Sequence, residues 1–115
     1  MRLTSDFWVS ALIRQIRNIG GFAYLTRRGS SEAGAIFIEV RQTNGCLDLY
    51  GPAPQGVYDE TVNIDERLFT CIANDLTDEK LVLRIEKELR FDPDIWLVEV
   101  EGVKNEMLPF KIVSV

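Results

Sequence analysis

Asn44 and Gly45 stand between two apolar runs, and no other feature limits the fold of this chain as tightly. An Asn-Gly pair suits a two-residue type I′ turn, which needs positive φ at both central positions. Over residues 35–42, Ile36, Ile38 and Val40 fall on one face and Phe37, Glu39 and Arg41 on the other, which is the period of a strand. Residues 46–50 form the returning strand. A two-residue turn sets Thr43 opposite Cys46, Arg41 opposite Asp48 and Glu39 opposite Tyr50, because turn length fixes hairpin register. Leu47 and Leu49 then join the core.

The remaining segments are arranged around that hairpin. Residues 6–18 read as a helix with Thr4 or Ser5 as N-cap, an apolar face built on Val9, Leu12, Ile13 and Ile16, and a stop at Gly20-Gly21,. Phe7 projects onto the polar side, where another segment is expected to cover it. Residues 22–27 are an aromatic-rich strand,. Residues 51–56, Gly-Pro-Ala-Pro-Gln-Gly, must leave the sheet, since proline cannot donate to a ladder,. Residues 67–73 are β-prone but too short for their period to separate strand from helix; a strand is expected. Thr77 caps a second helix over residues 78–90, ended by Asp92-Pro93-Asp94,. Residues 95–101 begin apolar on both faces, the mark of a strand inside a sheet,. Residues 110–115, from Phe110 to Val115, form a β-prone tail.

The expected architecture is one α+β domain over residues 1–115: an antiparallel sheet of four to five strands with two helices packed on one face, in the order α-β-β-β-(β)-α-β,. A chain of 115 residues is long enough to bury roughly two-thirds of its unfolded surface in one core.

Composition narrows the chemistry. There is no histidine, which removes imidazole bases and imidazole metal ligands. The two cysteines, Cys46 and Cys71, are too few to close a zinc site unaided, and free thiols in a reducing, cytoplasmic setting are expected. Neither a membrane span nor a signal sequence is expected from the short apolar runs. Residues 1–55 hold six Lys or Arg against four Asp or Glu, and residues 56–115 seven against fourteen. An acidic chain is not expected to bind nucleic acid, because that affinity rests on cations meeting phosphates. The glycines have neither dinucleotide-loop nor P-loop spacing, and no cofactor is expected.

Three strings carry a resemblance: RLTSDFWV at residues 2–9, LYGPAPQ at 49–55 and FDPDIW at 91–96. Together they resemble a family of short alphaproteobacterial proteins of unknown function, domain family number 1491. The likeness covers nearly the whole chain. It implies a bacterial cytosolic protein and carries over no catalytic residue.

Two functional readings follow. The first is a non-enzymatic binding or protein-interaction module for a protein or small ligand. Its rim consists of two proline-stiffened loops bearing Tyr50, Pro52, Pro54, Gln55, Asp92, Asp94 and Trp96, since stiff loops bind without a large ordering cost. The plainer account of the same residues makes Asp92 a turn cap and Trp96 part of the core. A homodimer through residues 110–115 is a further expectation, as tails of this kind can pair with a neighbour. The second reading is a magnesium-dependent phosphodiester hydrolase of restriction-endonuclease-like type using Asp48 and Glu39 with Arg41,. Against it, no lysine precedes Lys80, and Arg41 with Asp48 is more simply a cross-strand ion pair.

Overall fold

The hairpin forms, with a turn one residue longer than the Asn-Gly pair predicts. In a computed structural model describing residues 3–54 and 66–115, the Gln42 amide donates to Cys46 O at 2.8 Å and the Gly45 amide to Gln42 O at 2.9 Å. Gly45 alone in this loop has a positive φ, 87°. The connection is therefore a three-residue loop ending in a left-handed glycine. Asn44 accepts the Cys46 amide through its side chain at 2.9 Å, a local bond that needs no positive φ of its own.

One extra loop residue moves the register by one. Val40 lies opposite Asp48, Glu39 opposite Leu49 and Arg41 opposite Leu47, in place of the expected Arg41–Asp48 and Glu39–Tyr50 pairs. Because partners across a ladder share a face, Leu47 and Leu49 join Phe37 on one side and Tyr50 joins Ile38 on the other.

Among the described residues, six strands form one mixed sheet in the order β1-β5-β2-β3-β4-β6. They are β1 (Phe22–Arg27), β2 (Ile36–Arg41), β3 (Leu47–Pro52), β4 (Leu68–Leu76), β5 (Trp96–Glu101) and β6 (Lys111–Ile112). The pairs β2·β5 and β4·β6 are parallel and the others antiparallel. Residues 67–73 thus lie mostly in a strand, and β5 runs inside the sheet as its apolar start predicts. The antiparallel sheet of four to five strands is corrected to a mixed sheet of six.

The helices are α1 (Ser5–Asn18) and α2 (Asp78–Phe91), N-capped by Thr4 and Thr77, whose hydroxyls accept the Phe7 and Lys80 amides at 3.2 Å each. They lie on opposite faces of the sheet, not on one. Val9, Leu12 and Ile16 of α1 share a cluster with Ile36, Ile38, Val40, Val98 and Val100. Leu81 and Ile85 of α2 share the other with Phe37, Leu47, Leu49 and Leu97. The cause is that the sheet has two apolar faces: Ile36, Ile38, Val98 and Val100 form one, and Leu47 and Leu49 of β3 with Phe37 and Leu97 form the other, and each needs its own cover. Each fully buried aliphatic side chain contributes roughly 1.5–3 kcal/mol.

The cover is offset. α1 packs over β1 and β5, whereas α2 packs over β3 and β4. On the α1 side, the uncovered part of the sheet is filled by Trp8, Tyr50, Phe69 and Phe110, with ring centroids 5.2–5.6 Å apart. Phe7 is 61% exposed, so the expected cover is not found among the described residues.

Candidate interaction surface

The residues of the expected rim have different fates. Tyr50 is buried, edge-on to Phe110. Trp96 is fully buried, its indole N–H donating to Ser30 O at 2.7 Å, with the Arg28 guanidinium 5.0 Å from its ring. Asp92 caps a turn by accepting the Asp94 amide at 2.9 Å, and the Asp94 carbonyl accepts the Ser30 amide at 3.0 Å. Pro52, Pro54 and Asp94 are exposed. Gln55 lies outside the described residues. Pro52 borders a cavity of about 310 Å³ together with Leu3, Ala33, Ile36 and Phe69.

The carboxylates of the hydrolase reading do not converge. Asp48 pairs with Val40, on the face of α1, and accepts the Asp75 amide at 2.9 Å and the Gln42 side-chain amide at 3.2 Å. Glu39 is on the face of α2. Among the described residues no group of three acidic or thiol side chains has metal-binding geometry. Both cysteines are free, and burial, with nearby aspartates, pushes both thiols up from their ordinary values.

A different carboxyl pair does meet. Glu39 of β2 stands beside Glu99 of the parallel strand β5, and is 5% exposed. Burial, then the hydrogen bond to Glu99 and the charge of that neighbour, push the Glu39 carboxyl up to about 8; Arg41 partly offsets this. At neutral pH Glu39 is therefore protonated. Arg41 bonds elsewhere: to Glu99 at 3.5 Å, to Asp78 at 3.0 Å and to Gly45 O at 2.9 Å.

Register extends this group to the sheet edge. Tyr24, Glu99, Glu39 and Leu49 form one row across four strands, and Phe22, Glu101, Arg41 and Leu47 form the next. The leucines lie under α2. Phe22 and Tyr24 do not: they are 57% and 49% exposed. Asp78 and Glu99 thus hold the Arg41 guanidinium, Glu39 stands beside Glu99, and Glu99 and Glu101 lie level with two open aromatic rings.

The profile of a family described as "Protein of unknown function (DUF1491)" matches residues 3–108. The chain belongs to the DUF1491 family. Its fold is similar to the solution structure of a protein from A. tumefaciens, at 40% identity over 99% of this chain and 98% of that one, with a TM-score of 0.81. A crystal structure of a DUF1491 family protein from Caulobacter crescentus is 31% identical over 99% of this chain and 100% of that one, TM-score 0.76. An NMR structure of a DUF1491 family protein from the same organism gives 32% identity, 99% coverage of each chain and a TM-score of 0.76. No curated protein matches the chain.

In this DUF1491 protein the open face of β1 was missed by sequence reasoning, which took residues 22–27 as an ordinary strand. The signal was present: Phe22 and Tyr24 alternate with Ala23, the residue that goes to the core. Period 2 separates the two faces of a strand but does not say which one a helix covers. No helix among the described residues is long and apolar enough to cross a membrane.

Proposed function

We propose that this DUF1491 protein is a non-enzymatic binding module whose interaction surface is the open face of β1 and its outer edge, with which no strand pairs among the described residues. The observation that carries this reading is the pair Phe22 and Tyr24, two aromatic rings about half exposed on an edge strand. An unpaired edge offers backbone donors and acceptors to an added strand. Aromatic side chains beside it supply the apolar area that makes such an addition favourable.

A photo-crosslinking residue placed at Tyr24, with a second at the outward-facing Lys87 as control, tests the assignment in the cell. A discrete adduct at position 24 and none at position 87 is the expected result. No adduct at position 24, or equal labelling at both, removes the reading.

A second surface has its own observation. The cavity beside Pro52 lies at the end of the sheet where β2 begins, lined also by Ala33, Ile36 and Phe69, and is of a size for a small ligand. Saturation of the Ala33 and Ile36 methyl shifts by a small apolar compound favours that site, and a flat titration counts against it. The outer edge of β6, in the tail from Phe110 to Val115, is a further place where a second copy can add a strand. Light scattering before and after removal of residues 111–115, which takes away β6 itself, reads that directly, and an unchanged mass counts against it.

A further inference from the structure

The geometry points to a lysine- or arginine-bearing polypeptide segment, extended along the outer edge of β1, as the partner of the open face, with its cations seated between the Phe22 and Tyr24 rings and the Glu99 and Glu101 carboxylates. This rests on the reading that the β1 face is the interaction surface, and adds to it the chemistry of the partner and a proton released on binding.

Charge complementarity selects the occupant. Tyr24 is level with Glu99 and Phe22 with Glu101, so side chains that cross β1 from an added strand meet a ring first and a carboxylate behind it. Cations are attracted to both, through the ring quadrupole and by ordinary ion pairing. Anionic or purely apolar segments gain only the ring contact, and an acidic one is repelled. The cations of this face are engaged: Arg41 by Glu99 and Asp78, and Arg27, opposite Leu97 at the far end of β1, by Pro93 O at 2.9 Å. The groups facing Glu39 are Glu99 from β5, Arg41 from its own strand β2 and Asp78 from α2, with Glu101 and Tyr24 in the neighbouring positions of β5 and β1; β3 offers only Leu49 and Leu47. Arg41 reaches Glu99 and Asp78, which leaves Glu39, more than nine-tenths buried, with another acid as its neighbour across the ladder.

Burial first, and then the adjacent Glu99, favour the protonated form of Glu39. Two like-charged carboxyls in contact do not both ionise easily. When a positive side chain pairs with Glu99, the reason for holding that proton weakens, and the Glu39 carboxyl gives up a fraction of it to solvent. By linkage, binding strengthens as pH rises through the range in which free Glu39 is protonated.

A synthetic heptapeptide alternating valine and lysine, with a valine–glutamate counterpart, tests this by amide NMR titration of the full chain and by calorimetry near pH 7.5 in phosphate and in Tris. The expected result is a set of saturable shifts confined to β1 and β5 with the lysine peptide and none with the glutamate peptide. The two buffers should give different heats, as a released proton requires. Tyr24→Ser should weaken binding about ten-fold, and Glu39→Gln should retain binding while abolishing the difference between buffers. Equal response to both peptides, no response in β1, a proton release that survives Glu39→Gln, or β1 shifts that appear on concentrating the chain alone because a second copy occupies the edge, would each overturn the proposal. A crosslinked partner at position 24 that lacks basic residues would overturn it while leaving the interaction surface itself standing.

Discussion

Glu39 and Glu99 lie side by side on parallel strands, while the nearby Arg41 bonds Glu99 and Asp78. A carboxyl placed there must hold its proton to a pH far above the ordinary one. The sheet register that creates the pair also puts Leu49 and Tyr24 at the two ends of the same row, so the acid sits between a covered core and an open edge.

That relationship sets a pH dependence of stability. The Glu39 carboxyl is raised from about 4.5 in the unfolded chain to about 8 in the fold, so the folded state binds the extra proton between those values. Its contribution is fully present below about 4.5 and is lost as pH rises through about 8, with a slope of at most about 1.4 kcal/mol per pH unit for one proton. Glu39→Gln should flatten this part of the profile and be more stable than the parent at pH 9. Urea denaturation at pH 5, 7 and 9 measures it, and parallel profiles for the two proteins would show that Glu39 titrates normally.

Ser5 is completely buried at the start of α1 and donates its hydroxyl to Gly34 O at 2.6 Å. Its amide and that of Asp6 donate to Glu32 O and Ser31 O at 3.2 and 3.0 Å. The helix start is thereby fastened to the loop after β1. Ser5→Ala should cost about 1–3 kcal/mol, since a buried carbonyl loses its partner. Chemical denaturation gives the value, and an unchanged midpoint would mean that solvent replaces the hydroxyl.

Gly29 needs the absence of a side chain, because a Cβ there would lie 2.1 Å from Asp94 O and 2.6 Å from the carbonyl carbon of Ile95. Both contacts are backbone and neither yields easily. Gly29→Ala should destabilise the fold by about 1–3 kcal/mol, as overpacking generally does, and should shift the Trp96 fluorescence, whose ring lies under the same loop. A Tm equal to that of the parent chain would show that the two loops separate freely.

Phe110 fills the side of the sheet that α1 leaves open, against Tyr50 and Phe69. Phe110→Ala should cost about 3–5 kcal/mol through lost burial and the cavity left behind. Removing only residues 113–115, which gives up the bond from the Val113 amide to Phe69 O at 2.8 Å but no large side chain from the core, should cost less. Thermal melts of the two variants separate the role of the ring from that of the tail; similar losses would show that strand pairing, not packing, holds this segment.

Local sequence determined the elements and hid their arrangement. The caps Thr4 and Thr77, the strand over residues 22–27 and the inner position of β5 follow from hydroxyls, glycines and apolar periods that act within a few residues. Turn length escaped, because an Asn-Gly pair serves both a two-residue and a three-residue loop, and one residue decides which face Asp48 and Tyr50 occupy. The placement of the helices on opposite faces follows from the register, which turns Leu47 and Leu49 to the side of Phe37 and Leu97 and so completes a second apolar face. The pairing of Glu39 with Glu99 joins residues sixty positions apart by number, and no local period records it. What only the tertiary structure decided is therefore the electrostatic character of the open face: charges far apart along the chain acquire their effect from the register that makes them neighbours and from the burial that removes water from between them.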